Sequence, residues 1–205
     1  MQRLTEHDHN SPQEYNRVWK ERMLKDPQWS DIRRWNKLIR FFKGGRIIDL
    51  GVLDSLIPQM AKEKFPASEV WALDYADEVI EFYKEKYPDI NYILGDVYYT
   101  HFPKNYFDYV VAGELIEHLE RPEEFLKEAF RILRPKGYFM LSTPLNEALE
   151  LGAVDEHRHI WSYDKEDMQK LLEPYGSVRV NVLRSRYWPT YSYAFPTMLV
   201  SCVKK

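Results

Sequence analysis

One cysteine, Cys202, stands in 205 residues. A lone thiol closes no disulfide framework and builds no cysteine-based zinc knuckle, so a reducing, cytoplasmic setting is expected. Long apolar runs are missing too. None approaches the roughly 18–20 residues that a membrane-crossing helix needs, and the polar stretch Met1–Asn10 leads to no expectation of a signal peptide. Neither sign of charge prevails: Lys plus Arg number 29, Asp plus Glu 32, and the formal net charge is −3. That argues against the broad basic surface of a duplex nucleic-acid binder, though not against capture of a strand end or of one nucleotide. Internal repeats and low-complexity segments are absent. What remains is ordinary globular chemistry, 44% hydrophobic and 30% charged, in a length suited to one domain with or without an appendage. Aromatics are plentiful at 15%, and rings more often fill cores than line pockets.

The first 44 residues read as helical. Ser11-Pro12-Gln13-Glu14 is a start signal, with a capping serine, proline in the first turn and glutamate three residues on. Tyr15, Val18, Trp19 and Met23 then share one face, and Pro27 ends the run. A second helix follows Ser30-Asp31, with Ile32, Trp35, Leu38, Ile39 and Phe42 in one stripe, and Gly44-Gly45 stops it. From residue 45 the texture changes. Short apolar strands are expected at 46–50, 70–73, 92–94, 107–112 and 138–141. Helices are expected at 56–64, 77–87, 122–133 and 164–175 between or after them, and two closing strands at 178–183 and 197–203. Strands alternating with helices of about ten residues mean βαβ units in a mostly parallel sheet. The last two strands, joined without a clear helix, make an antiparallel pair at one edge. The expected organisation is an N-terminal helical extension, 1–44, on an α/β domain, 45–205.

In an open α/β sheet ligands bind beyond the carboxyl ends of the strands. Gly51 follows the first strand, where a glycine lets the backbone turn sharply and approach a ligand. The dinucleotide fingerprint of three glycines is not met, since Leu53 and Leu56 take the later places. Asp74 follows the second strand, 23 residues after Gly51, near the roughly 20 expected of an acid that accepts ribose hydroxyls; otherwise it is a cap for the next helix. Gly95-Asp96-Val97 follows the third strand, where an acid can accept from an adenine amino group or simply make a turn.

These residues in register resemble a known family. Ile47-Ile48-Asp49-Leu50-Gly51, Leu73-Asp74 and Gly95-Asp96 look like a class I S-adenosylmethionine-dependent methyltransferase. So do Phe107–Val111 with Gly113-Glu114-Leu115-Ile116-Glu117-His118-Leu119, the run Phe125–Gly137, and Leu141-Ser142-Thr143-Pro144. The resemblance covers about Gly45 to Tyr175, and the nearest branch includes ubiquinone-biosynthesis O-methyltransferases and many small-molecule methyltransferases. It implies a Rossmann-like fold, a seven-stranded and mostly parallel sheet with helices on both faces. It also implies S-adenosylmethionine as cofactor, with Asp49, Gly51, Asp74, Tyr75, Asp96, Val97 and Gly113 around it. Gly51 would approach the methionine part, Asp74 hold the ribose, and Asp96 and Val97 flank the adenine. The family usually carries Gly-x-Gly-x-Gly after the first strand; here the three places hold Gly51, Leu53 and Ser55. A displaced loop is expected, and a degenerate, non-catalytic member stays in play.

Glu114, Glu117 and His118 stand at i, i+3 and i+4. On a helical turn after the fourth strand they would share one face, and two carboxylates with an imidazole suit a divalent cation. This E-x-x-E-H pattern resembles the metal site of RNA 3′-terminal 2′-O-methyltransferases, in which the metal chelates two neighbouring acceptor oxygens. Carried over, the ligands are Glu114, Glu117, His118 and His159 around an ion such as Mg2+, with His157 in reserve. Without a metal the acids orient the loop, and His118 or His159 is the candidate base, with Glu117 also in the catalytic set. The expected reaction is methyl transfer to a hydroxyl of a small molecule, a sugar, catechol or other diol. Methylation of a terminal RNA ribose and a methyltransferase-like binding scaffold are the alternatives. The extension and Leu145–Trp161 are expected to roof the pocket; Tyr15 and Trp19 line it or, as the favoured reading, staple their helix to the sheet. Tyr187–Tyr193 is either a further wall or a contact in a homodimer.

Overall fold

The computed structural model describes residues 1–4, 11–23, 29–146, 159–183 and 196–205. His157, Tyr187–Tyr193, Pro27 and most of the expected roof between 145 and 161 lie outside these.

Strand β1 (Gln2–Arg3) is followed by helices α1 (Pro12–Met23) and α2 (Trp29–Ile39). Strands and helices then alternate: β2 (Arg46–Leu50), α3 (Ile57–Lys64), β3 (Glu69–Asp74), α4 (Asp77–Lys86), β4 (Asn91–Leu94) and β5 (Phe107–Gly113). A single 3-10 turn over Ile116–His118 leads to α5 (Pro122–Ile132), β6 (Leu133–Pro144), β7 (Trp161–Ser162), α6 (Lys165–Leu172), β8 (Gly176–Leu183) and β9 (Thr197–Lys204). Seven strands form one sheet in the order β4-β3-β2-β5-β6-β9-β8. Strands β4, β3, β2, β5 and β6 are parallel. Strand β9 pairs antiparallel with both β6 and β8, so the expected edge pair is present.

Local chemistry explains the helices. Pro58 and Pro122 sit in first turns, where a missing N–H costs nothing. Helix α4 opens on Asp77 and Glu78 and closes on Lys84 and Lys86, matching its dipole. Helix α6 carries a complete capping box between Asp164 and Asp167. Alternation along the strands then sorts two cores. Ile48, Leu50, Val110, Ala112, Phe139 and Leu141 face α5 and α6, while Ile47, Val70, Ala72, Val111 and Met140 face the other way. That second core takes in Ile57 and Ala61 of α3, Val79, Ile80 and Tyr83 of α4, and Trp19, Trp35, Leu38, Ile39 and Phe42 from the first 44 residues.

Three elements, β6, β1 and β7, differ most from the sequence reading. Strand β6 runs from Leu133 to Pro144 rather than over 138–141: Leu133 already pairs with Phe107, and Ser142, Thr143 and Pro144 continue the ladder with Leu199, Met198 and Thr197. Strands β1 and β7 were not foreseen: Gln2 and Arg3 pair antiparallel with Ser162 and Trp161, a partnership between segments remote in sequence that no local pattern encodes. Among the described residues no helix is long and apolar enough to cross a membrane.

Candidate active site

The loop after β2 is shaped by one glycine and two buried acids. Gly51 has φ +72° and donates its N–H to the Leu73 carbonyl at 2.8 Å. The positive φ favours glycine here, and a Cβ at this position would lie 2.7 Å from a methyl carbon of Leu115, which would have to shift. Leu53, where the family usually has its second glycine, also takes a positive φ of +35°. Its N–H donates to Asp74 Oδ2 at 2.9 Å, while the Ala76 N–H donates to Asp74 Oδ1 at 2.9 Å. Ser55, in the third glycine place, donates its hydroxyl to Asp49 Oδ2 at 2.8 Å. The loop therefore keeps its turn with one glycine by tying its other two positions to carboxylates.

Both acids are enclosed, and burial raises both pKa values. Asp49 is pushed up to about 8, with the nearby Asp74 carboxylate adding and the Ser55 hydroxyl opposing. Asp74 moves upward as well, against the pull of backbone N–H groups from Ala76, Leu53 and Tyr75. The end of β4 is aligned alongside by a hydrogen bond from the Gly95 N–H to the Asp74 carbonyl, 2.9 Å. Beyond it Asp96 is exposed and accepts from the Tyr98 N–H at 2.8 Å, a turn of its own making. Val97 is half-buried against the α5–α6 core.

The second group of residues follows β5. Gly113 closes the strand, and Glu114 turns the chain with φ +51°. The helical turn begins only at Ile116, so Glu114, Glu117 and His118 do not share a helical face as the spacing implied. The Glu114 carboxylate lies 3.9 Å from the Arg34 guanidinium of α2. Glu117 instead turns into the protein and is fully buried. Its Oε2 accepts from the Thr143 hydroxyl at 3.0 Å, and its Oε1 has no hydrogen bond among the described residues. Burial pushes the Glu117 carboxyl up to about 8; Glu114 adds to this and His159 opposes it.

His159 reaches the same point from far along the chain. The Ile160 N–H donates to the Glu117 carbonyl at 2.7 Å, and the Trp161 indole N–H to the Leu119 carbonyl at 2.9 Å. Leu4, just past β1, donates in turn to the Ile160 carbonyl at 2.7 Å. The His118 and His159 rings meet edge to face at 4.6 Å. Glu117, His118 and His159 thus bring one potential ligand atom each to within 4.8 Å of one another; Glu114 stands outside this group.

Tyr15 joins the two regions. Its ring is 5.5 Å from that of Tyr75, next to Asp74, and 6.0 Å from that of His118. Trp19, one turn on, lies against Phe82 and Tyr83 of α4. The pair therefore divides: Trp19 staples α1 to the domain, and Tyr15 faces the candidate site. Sequence reasoning missed Arg34 and Leu115 as neighbours of the site and gave Thr143 no role. Only Thr143 carried a signal, as part of the Ser-Thr-Pro run at a strand end.

The family described as a methyltransferase domain matches residues 48–141. A Mycolicibacterium smegmatis protein named "Probable S-adenosylmethionine-dependent methyltransferase/" is 36% identical over 78 residues, covering 38% of this chain and 30% of that protein. Demethylmenaquinone methyltransferase of Listeria welshimeri is 32% identical over 108 residues, covering 49% of this chain and 45% of that one. The chain thus spans less than half the length of either relative. In three dimensions it is similar to a chain of the complex containing the Haloferax volcanii Trm112 methyltransferase activator, with TM-score 0.75 and 17% identity over 95% of this chain and 97% of that one. At that identity the likeness is one of fold.

Proposed function

We infer that this chain, which belongs to the class I S-adenosylmethionine-dependent methyltransferases, transfers a methyl group to a hydroxyl of a small molecule bearing neighbouring oxygens, a sugar, catechol or other diol. The observation that carries the acceptor chemistry is the Glu117–His118–His159 cluster, set beside a strand-end loop of the cofactor-binding kind. The residues present fit the cofactor. Gly51 supplies the sharp strand-end turn that such a loop needs, and a carboxylate has more acceptor positions than the three backbone donors that pull on Asp74. In this reading Asp74 takes the ribose, Asp96 and Val97 flank the adenine, Tyr75 and Gly113 border the cofactor, and Asp49 supports the loop through Ser55. S-Adenosylmethionine supplies an already activated methyl, so the protein's work is chiefly positioning, with reacting atoms about 3–3.5 Å apart.

The acceptor hydroxyl must lose its proton. Glu117 is placed for this, since burial raises the proton affinity of its carboxylate and Oε1 has no hydrogen bond among the described residues. His118 or His159 can pass the proton outward. The donor set also fits a divalent cation, which would lower the pKa of a bound hydroxyl and orient a diol. One carboxylate with two imidazoles favours a first-row transition ion over Mg2+, which prefers oxygen ligands. Glu114 stays with Arg34 and shapes the loop. We assign the 1–44 extension the role of cap, with Tyr15 touching the acceptor.

A binding scaffold is the second reading, favoured by the Leu53 N–H on Asp74 and by Leu115 over Gly51. Titration of the protein with S-adenosylhomocysteine separates the two. Micromolar binding, lost in Asp74→Ala, supports the enzyme; absence of binding at millimolar ligand makes the scaffold the better account. With the cofactor site established, Glu117→Ala is expected to abolish methylation of a diol acceptor while leaving S-adenosylhomocysteine affinity within a few-fold of wild type. Retained turnover in that variant would remove Glu117 from the mechanism.

A further inference from the structure

Helix α2 carries a second stripe beside its buried one. Trp35, Leu38, Ile39 and Phe42 of the helix and its exit point inward, while Arg33, Lys37 and Arg40, at i, i+4 and i+7, line a cavity of about 250 Å3 over strands β8 and β9. The opposite wall brings the Asn181 amide and an apolar floor that includes Leu199, with Phe41 at the side. No carboxylate is among the described residues lining it. In a chain of net charge −3, Lys37 and Arg40 on one wall, with no acid among the described lining residues, form a local positive field. Arg40 is held in place by its guanidinium over the Phe41 ring, 4.6 Å from the centroid. Neither Lys37 nor Arg40 has an ion pair among the described residues.

We propose that this cavity is a binding site for a phosphate headgroup carried on a short apolar stem. The guanidinium and ammonium groups recognise the dianion: arginine offers paired donors in the geometry of phosphate oxygens, and lysine adds a point charge. Asn181 provides a neutral donor across the gap. The apolar floor that includes Leu199 takes the stem. The cavity is separate from the Glu117–His118–His159 cluster, and the proposal does not depend on methyl transfer.

The test is calorimetric titration of the full chain with hexyl phosphate, inorganic phosphate and hexanoate. Hexyl phosphate is expected to bind at least about tenfold more tightly than inorganic phosphate, because burying even two methylenes is worth that factor. It is also expected to bind more tightly than hexanoate, which carries one charge. The double variant Lys37→Glu, Arg40→Glu should lose binding while its melting temperature stays near wild type, since both side chains are exposed. Asn181→Asp, which places a carboxylate on the far wall without touching α2, should weaken hexyl phosphate several-fold. Wild-type affinity in both variants, or no binding at millimolar hexyl phosphate, overturns the site. Equal affinity for the two phosphates overturns the apolar stem, and equal affinity for hexanoate overturns the phosphate. Binding only to vesicles containing anionic lipid would replace the small-molecule site with a membrane-facing patch.

Discussion

Asp49 and Asp74 show how single residues substitute for a glycine-rich loop. A loop of three glycines reaches its shape through conformational freedom. Here only Gly51 has that freedom, and the shape is held by hydrogen bonds from the Leu53 N–H and the Ser55 hydroxyl to the two carboxylates. Such an arrangement costs something, because enclosed carboxylates resist ionisation. Asp49 makes this measurable. Its pKa is near 3.8 when unfolded and about 8 when folded, so the folded state favours the protonated form. Its contribution to stability is complete below the unfolded value and is lost as pH rises through the folded one. Asp49→Asn keeps an acceptor for Ser55 and cannot ionise. It should melt close to the wild type near pH 4 and progressively above it towards pH 8; parallel melting curves across that range would show that Asp49 does not titrate in this window.

At the scale of elements, α1 combines two tasks on adjacent turns. Trp19 is 7% exposed within the core that includes α4, whereas Tyr15 is half-buried between Tyr75 and His118. Truncation should separate them. Trp19→Ala is expected to destabilise the protein by about 3–5 kcal/mol, the range for a large core aromatic, visible in denaturant melts. Tyr15→Ala should cost far less stability and instead raise KM for the acceptor. A stability loss in Tyr15→Ala as large as that of Trp19→Ala would make both residues staples. The turn after β5 behaves differently from its spacing. Glu114 at φ +51° breaks the helical register that i, i+3, i+4 presupposes, and the third member of the cluster comes from His159 instead.

At the scale of the whole molecule, one sheet separates two cores, with α1 to α4 packed on one face and α5 and α6 on the other. Cys202 lies in the α5–α6 core, fully buried, with its thiol pushed up to about 11 by that burial. It is expected to resist thiol reagents in the native state and to react at the rate of global unfolding; rapid labelling without denaturant would reveal local opening of the β8–β9 edge. The α/β class, the parallel order with an antiparallel edge, and the acids at the ends of β3 and β4 were legible from the sequence, because strand alternation, helix caps and strand-end positions are local patterns. The meeting of Glu117 with His159, the pairing of β1 with β7, the reach of Arg34 to Glu114 and the cationic cavity beneath α2 were not. Each joins residues remote in sequence, and only the order of the strands in the sheet and the face on which each helix packs decide which strand ends and helix faces come to lie together.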